Sequence, residues 1–135
     1  MKFDSQICTT RLQSERLLAL GLKKETADMA LQKNHFGEWL PSTIIECPFD
    51  DWIFPAWSLH RLIEMLPKEM FHQSKHLHLF LSLCYEDAIS YEECDSSQPC
   101  YLHFCSSDNI YDNIIETIEW LIGEGYFNKE YLEEL

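Results

Sequence analysis

From His76 to Tyr85 the chain alternates with a period of two. Leu77, Leu79, Leu81, Leu83 and Tyr85 fall on one side, and His76, His78, Phe80, Ser82 and Cys84 on the other. Successive side chains of an extended strand point to opposite faces, so this run predicts a strand with a leucine face toward a core. Ile89 to Glu92 and Tyr101 to Cys105 read as two further strands, separated by the turn-forming Asp95-Ser96-Ser97-Gln98-Pro99.

Helical spacing brackets these strands. Thr10 with Gln13 forms a capping box, Leu17, Leu18 and Leu20 make an apolar stripe, and Gly21 suits the left-handed stop, which predicts a helix from Thr10 to Leu20. A second short helix is expected from Glu25 to Lys33, with Ala27, Ala30 and Leu31 inward. Pro55 is read as opening a third, with Leu59, Leu62, Ile63 and Leu66 at helical spacing and Pro67 ending it. Ser107 or Asp108 is expected to cap a fourth, to Glu124, burying Ile110, Ile114, Ile115, Ile118, Leu121 and Ile122. Gly125 ends that helix, and Asn128 can cap a last turn through Leu132. Between the second and third helices, Pro41, Pro48 and Pro55 divide a loop-like stretch, with Ile44-Ile45 as a possible short strand. The order predicts an α+β fold: a small antiparallel sheet of about three strands, with helices from both ends of the chain packed on one face.

Length and composition place these elements in one domain spanning residues 1–135, with 46% apolar residues to build a core. No apolar run reaches the roughly 20 residues of a membrane helix. Met1-Lys2-Phe3-Asp4 is followed by no apolar signal stretch, so the expected compartment is the cytoplasm. There the six cysteines would stay reduced, as core-filling thiols by default.

Charge changes the picture more. The net charge is −13, and residues 79–135 carry a single cation, Lys129, against thirteen carboxylates. Direct binding to a nucleic-acid backbone is disfavoured, because phosphates are held by lysine and arginine. A partner protein with a basic surface is electrostatically allowed, while the plainer reading is that the acidic surface serves solubility alone.

Four groups of residues could carry chemistry. His76 and His78 share a strand face, and with His103 and Cys105 on a neighbouring strand they form a candidate zinc set. Neither a CxxC nor an HxxxH pair supports it, so the alternative is a partly wet sheet face that tolerates histidine. Cys84 or Cys105 beside His103 or His78 could form a thiol nucleophile, against a buried structural cysteine. Asp108, Asp112, Glu116 and Glu119 form one acidic stripe opposite the isoleucine arc, suited to a basic partner or to imitation of a phosphate backbone. The plain alternative is a solvated helix face. Trp39, Trp52 and Trp57 lie in an aromatic-rich middle with Phe36, Phe49 and Phe54. Tryptophan is enriched at binding hot spots, and it also anchors loops to cores.

Three segments carry a family resemblance. They are Gln13–Leu22 with Thr26-Ala27-Asp28-Met29, then Pro55–Leu62, and Tyr111-Asp112 leading into Glu119-Trp120-Leu121-Ile122, Glu124-Gly125 and Asn128–Leu132. Together, over about a third of the chain, they resemble a group of small uncharacterised proteins of gut bacteria and their prophages or mobile elements. The resemblance implies a genomic setting and no mechanism. The expected function is a small acidic interaction or modulator protein without catalytic activity. The competing expectation is a small zinc-binding or thiol-dependent enzyme using the His/Cys sheet face.

Overall fold

A computed structural model describes residues 5–43, 51–72, 77–83, 88–93 and 100–134. The fold is α+β, with three α-helices and two antiparallel sheets among the described residues. Contacts gather into two compact units, Met1–Ile63 with Lys129–Leu135, and Glu64–Asn128.

The first unit begins as its sequence predicts. The Thr10 hydroxyl accepts the Gln13 amide at 3.2 Å, and the Gln13 side chain accepts the Thr10 amide at 3.0 Å. This reciprocal cap starts helix α1, Arg11–Ala19, which buries Leu17 and stops at Gly21, with φ at 104°. The expected second helix is absent from these residues. Lys24–Thr26 make one 3-10 turn, and Met29–Lys33 form strand β1. β1 is the middle strand of a sheet ordered β2-β1-β3, with β2 at Trp39–Ser42 and β3 at Ile53–Ala56. Ala30 and Leu31 point to opposite faces, and both are buried. A strand covered on both sides loses its alternation, and its short apolar run then imitates a helix.

Pro55 also departs from expectation. It lies in β3 rather than at a helix start, and β3 is an edge strand, where a missing N–H is tolerated. Helix α2, Leu59–Met65, begins after Ser58, whose hydroxyl accepts the Arg61 amide at 3.1 Å. Trp57 is fully buried between these elements. Its indole N–H donates to Thr26 Oγ1 at 2.9 Å, and its amide donates to Thr9 Oγ1 at 3.0 Å. Chain from the far end completes the unit, as the Lys23 amide donates to the Tyr131 carbonyl and the Glu133 amide to that of Gly21. Ile44 and Ile45 lie outside the described residues.

The second unit is a four-stranded meander followed by a helix. Strands β4 (Glu69–His72), β5 (Leu77–Leu83), β6 (Ile89–Glu93) and β7 (Cys100–Cys105) pair in sequence order, and helix α3 spans Ile110–Glu124. The strand expected along β5 forms, with Leu79 fully buried and His78 exposed, but Leu77 and Leu81 are only half-buried and Leu83, on the same leucine face, is exposed. α3 lies against β6 and β7 and buries Ile114, Ile115, Ile118 and Leu121. Its cap is Asn109, whose side chain accepts the Asp112 amide at 3.1 Å, rather than Ser107 or Asp108. The single three-stranded sheet expected from sequence is therefore replaced by one sheet in each unit. α1 packs with the first sheet and α3 with the second, so the helices do not share one face. Among the described residues no helix is long and apolar enough to cross a membrane.

Candidate functional site

Strand register decides the fate of the histidine and cysteine set. Leu81 stands opposite Tyr91, and Tyr91 opposite His103, so His103 shares the leucine face of the sheet. Cys105, opposite Ile89, lies on the same face. His78 lies on the other face, because side chains alternate along β5. The sheet thus separates His78 from His103 and Cys105, and the zinc set read from sequence does not assemble as drawn. His76 lies outside the described residues, among which no group of three His, Cys, Asp or Glu side chains is placed to hold a metal.

His103 and Cys105 are instead taken up by α3. His103 Nε2 lies 3.0 Å from Thr117 Oγ1, and its ring stacks on Trp120 at 4.7 Å between centres. Burial lowers the His103 pKa, and the carboxylate of Glu116 partly offsets this. Cys105 Sγ lies 2.8 Å from Glu116 Oε2 and 3.3 Å from Asn113 Oδ1, both acceptors. Neither neighbour is a cation of the kind that stabilises the thiolate a nucleophile needs. Cys8 is no better placed: burial, and then Asp28, push its thiol up to about 11. Cys84, the other sequence candidate, lies outside the described residues.

The aromatic middle divides. Trp57 belongs to the core and cannot reach a partner. Trp39 and Trp52 flank Lys33 in one row across the sheet. Lys33 stands opposite Trp39, its amide donates to the Trp52 carbonyl at 2.8 Å, and its ammonium lies 5.7 Å from the Trp52 ring centre. Two residues along and on the same face, Phe54 meets Trp39 edge-on at 6.2 Å. The Arg11 guanidinium sits 3.7 Å over Phe54 and 4.5 Å over Trp39, with its Nε 2.9 Å from Glu15. Two cations are thus laid among three aromatic rings. Beside them a cavity of about 530 Å³ opens between residues 5–11 and Leu31, Trp39 and Pro41. Sequence reading found Trp39, Trp52 and Phe54 and missed Arg11 and Lys33. No local signal marks Arg11, because it opens α1 while its aromatic partners come from β2 and β3.

The turn joining β1 to β2 extends this end of the sheet. Asn34 Oδ1 accepts the amides of Phe36 and Glu38, both at 2.9 Å. The Asn34 amide donates to the Glu38 carbonyl at 2.9 Å, and Gly37, at φ 78°, donates to the Asn34 carbonyl at 3.1 Å. On this pinned turn Phe36 is 88% exposed; elsewhere on the same sheet Leu40 is 48% exposed on β2, and Trp52 is 55% exposed just ahead of β3. Large apolar side chains on a fixed backbone suit a partner's pocket, because little freedom remains to be lost on binding.

Three members of the acidic stripe, Asp112, Glu116 and Glu119, lie on α3, and Asp108 precedes its cap. Glu116 and Glu119 are exposed on α3 and Asp112 is half-buried in its first turn, where the helix dipole favours a negative charge. Asp108 is exposed just ahead of the cap. Glu116 has an inward task as well, as the acceptor for Cys105. Comparison of the chain with protein-family models, with curated proteins and with solved structures finds no match.

Proposed function

We propose that this chain is a protein-binding module without catalytic activity of its own, and that it docks its partner through the hairpin end of the first unit. The observation that carries this reading is Phe36, 88% exposed on a turn held by four hydrogen bonds. Leaving a phenylalanine in water forgoes about 2 kcal/mol of burial, which a partner's pocket would recover. The same sheet carries exposed Trp52 and the Trp39–Arg11–Phe54 stack on one face and exposed Leu40 on the other, and aromatic and arginine side chains are common at hot spots. The net charge of −13 and the stripe of Asp108, Asp112, Glu116 and Glu119 would steer a basic partner toward the chain. In its sharper form the protein is an accessory factor of phage or mobile-element origin that modulates a host protein, the stripe standing in for a phosphate backbone. A thiol enzyme finds little support, since Cys105 donates to Glu116 and Cys8 resists ionisation.

The test is affinity purification of a tagged chain from its native host, repeated with Phe36→Ser plus Trp52→Ser and with Asp112→Lys plus Glu119→Lys. A stoichiometric partner lost with the first pair is the expected outcome, the second pair mainly changing the salt dependence. A partner retained by both folded variants would sink this reading.

A further inference from the structure

The face of the four-stranded sheet turned away from α3 carries its own pattern. Across three adjacent strands Glu69 stands opposite Phe80 and Phe80 opposite Glu92, so a phenyl ring is flanked by two carboxylates. Phe71, 52% exposed, neighbours this row beside His78, whose ring lies 4.6 Å from that of Phe80 and whose Nε2 lies 3.4 Å from Glu69. Phe104, 56% exposed, extends the apolar area across β7.

We propose that this face is a second binding surface, for a segment of another protein that bears lysine or arginine among apolar side chains. An ammonium or guanidinium over the side of the Phe80 ring that His78 leaves open meets its negative face, with a carboxylate one strand away on either side. Phe71 and Phe104 take the apolar side chains of the same segment. Charge selects this occupant over others. Glu64–Asn128 holds twelve Asp/Glu against two cations, Lys68 and Lys75, and the described residues of the face include no lysine or arginine. The same face of a second copy would set Glu69 and Glu92 against like charges, and a nucleic acid would meet their repulsion. The surface stands independently of the hairpin, since none of its residues belongs to the first unit.

A short synthetic peptide alternating arginine and leucine serves as the probe, titrated calorimetrically into the full chain. Glu92→Lys and Glu119→Lys change the net charge equally, one on this face and the other on α3. The expected result is binding weakened about tenfold by Glu92→Lys and less than about threefold by Glu119→Lys. Phe71→Ser or Phe104→Ser, folded by circular dichroism, should weaken it without any change of charge, and Phe36→Ser should leave it intact. Equal losses from Glu92→Lys and Glu119→Lys would mean that the peptide reads only bulk charge, and would overturn the proposal. So would equal binding of a peptide alternating glutamate and leucine. Self-association in sedimentation that Phe104→Ser abolishes would assign the face to a second copy instead.

Discussion

The imidazole of His103 lies nearly flat on the indole of Trp120, with ring centres 4.7 Å apart and planes 22° from parallel. The stack fills the space between β7 and α3, and Thr117 Oγ1 occupies one ring nitrogen at 3.0 Å. A charged imidazolium there would lose hydration, so burial lowers the pKa from 6.5, with Glu116 opposing.

That shift predicts a pH dependence of stability. A histidine whose folded pKa is depressed binds its proton more tightly in the unfolded chain. Its contribution is therefore complete above the unfolded value of 6.5 and is lost as the pH falls toward the folded one. The melting temperature should drop as the pH goes from 7 to 5. His103→Phe, which keeps a stacking ring and removes the titration, should flatten that part of the profile. An unchanged profile would refute the assignment.

Tryptophan substitutions should separate core from surface. Trp57→Ala removes a fully buried indole and leaves a cavity, so a loss of about 3–5 kcal/mol is expected in urea unfolding. Trp52→Ala, at a side chain 55% exposed, should cost less than about 1 kcal/mol.

Gly125 isolates a backbone effect. Its φ of 82° lies in the left-handed region, yet a Cβ built there meets nothing within 4 Å. Gly125→Ala should therefore destabilise by about 1 kcal/mol through backbone conformation alone, with α3 otherwise intact by circular dichroism.

Thiol mapping checks the two described buried cysteines. In the folded chain at pH 8, Cys8 and Cys105 should resist a maleimide reagent, the first with its pKa near 11 and the second buried against Glu116. Both should label fully in denaturant, read peptide by peptide in a mass spectrometer. Rapid labelling of Cys105 in the native chain would reopen the nucleophile reading.

The amino-acid sequence by itself determined the features that close within a few residues. The Thr10–Gln13 box, the glycine stops at Gly21 and Gly125, the isoleucine arc of α3 and the leucine face of β5 rest on neighbours one to four positions away. Local hydrogen bonds and side-chain periodicity suffice for them. Tertiary structure decided the rest, because those outcomes depend on what lies across a strand or beneath a helix. Pairing on both sides made Ala30-Leu31 a strand and put Pro55 on an edge. Register placed His103 and His78 on opposite faces. Burial gave three tryptophans of one composition three fates: Trp57 in the core, Trp39 under Arg11, and Trp52 in solvent beside Lys33. Partners so far apart in sequence leave no local mark, since only the closed fold brings them within reach of one another.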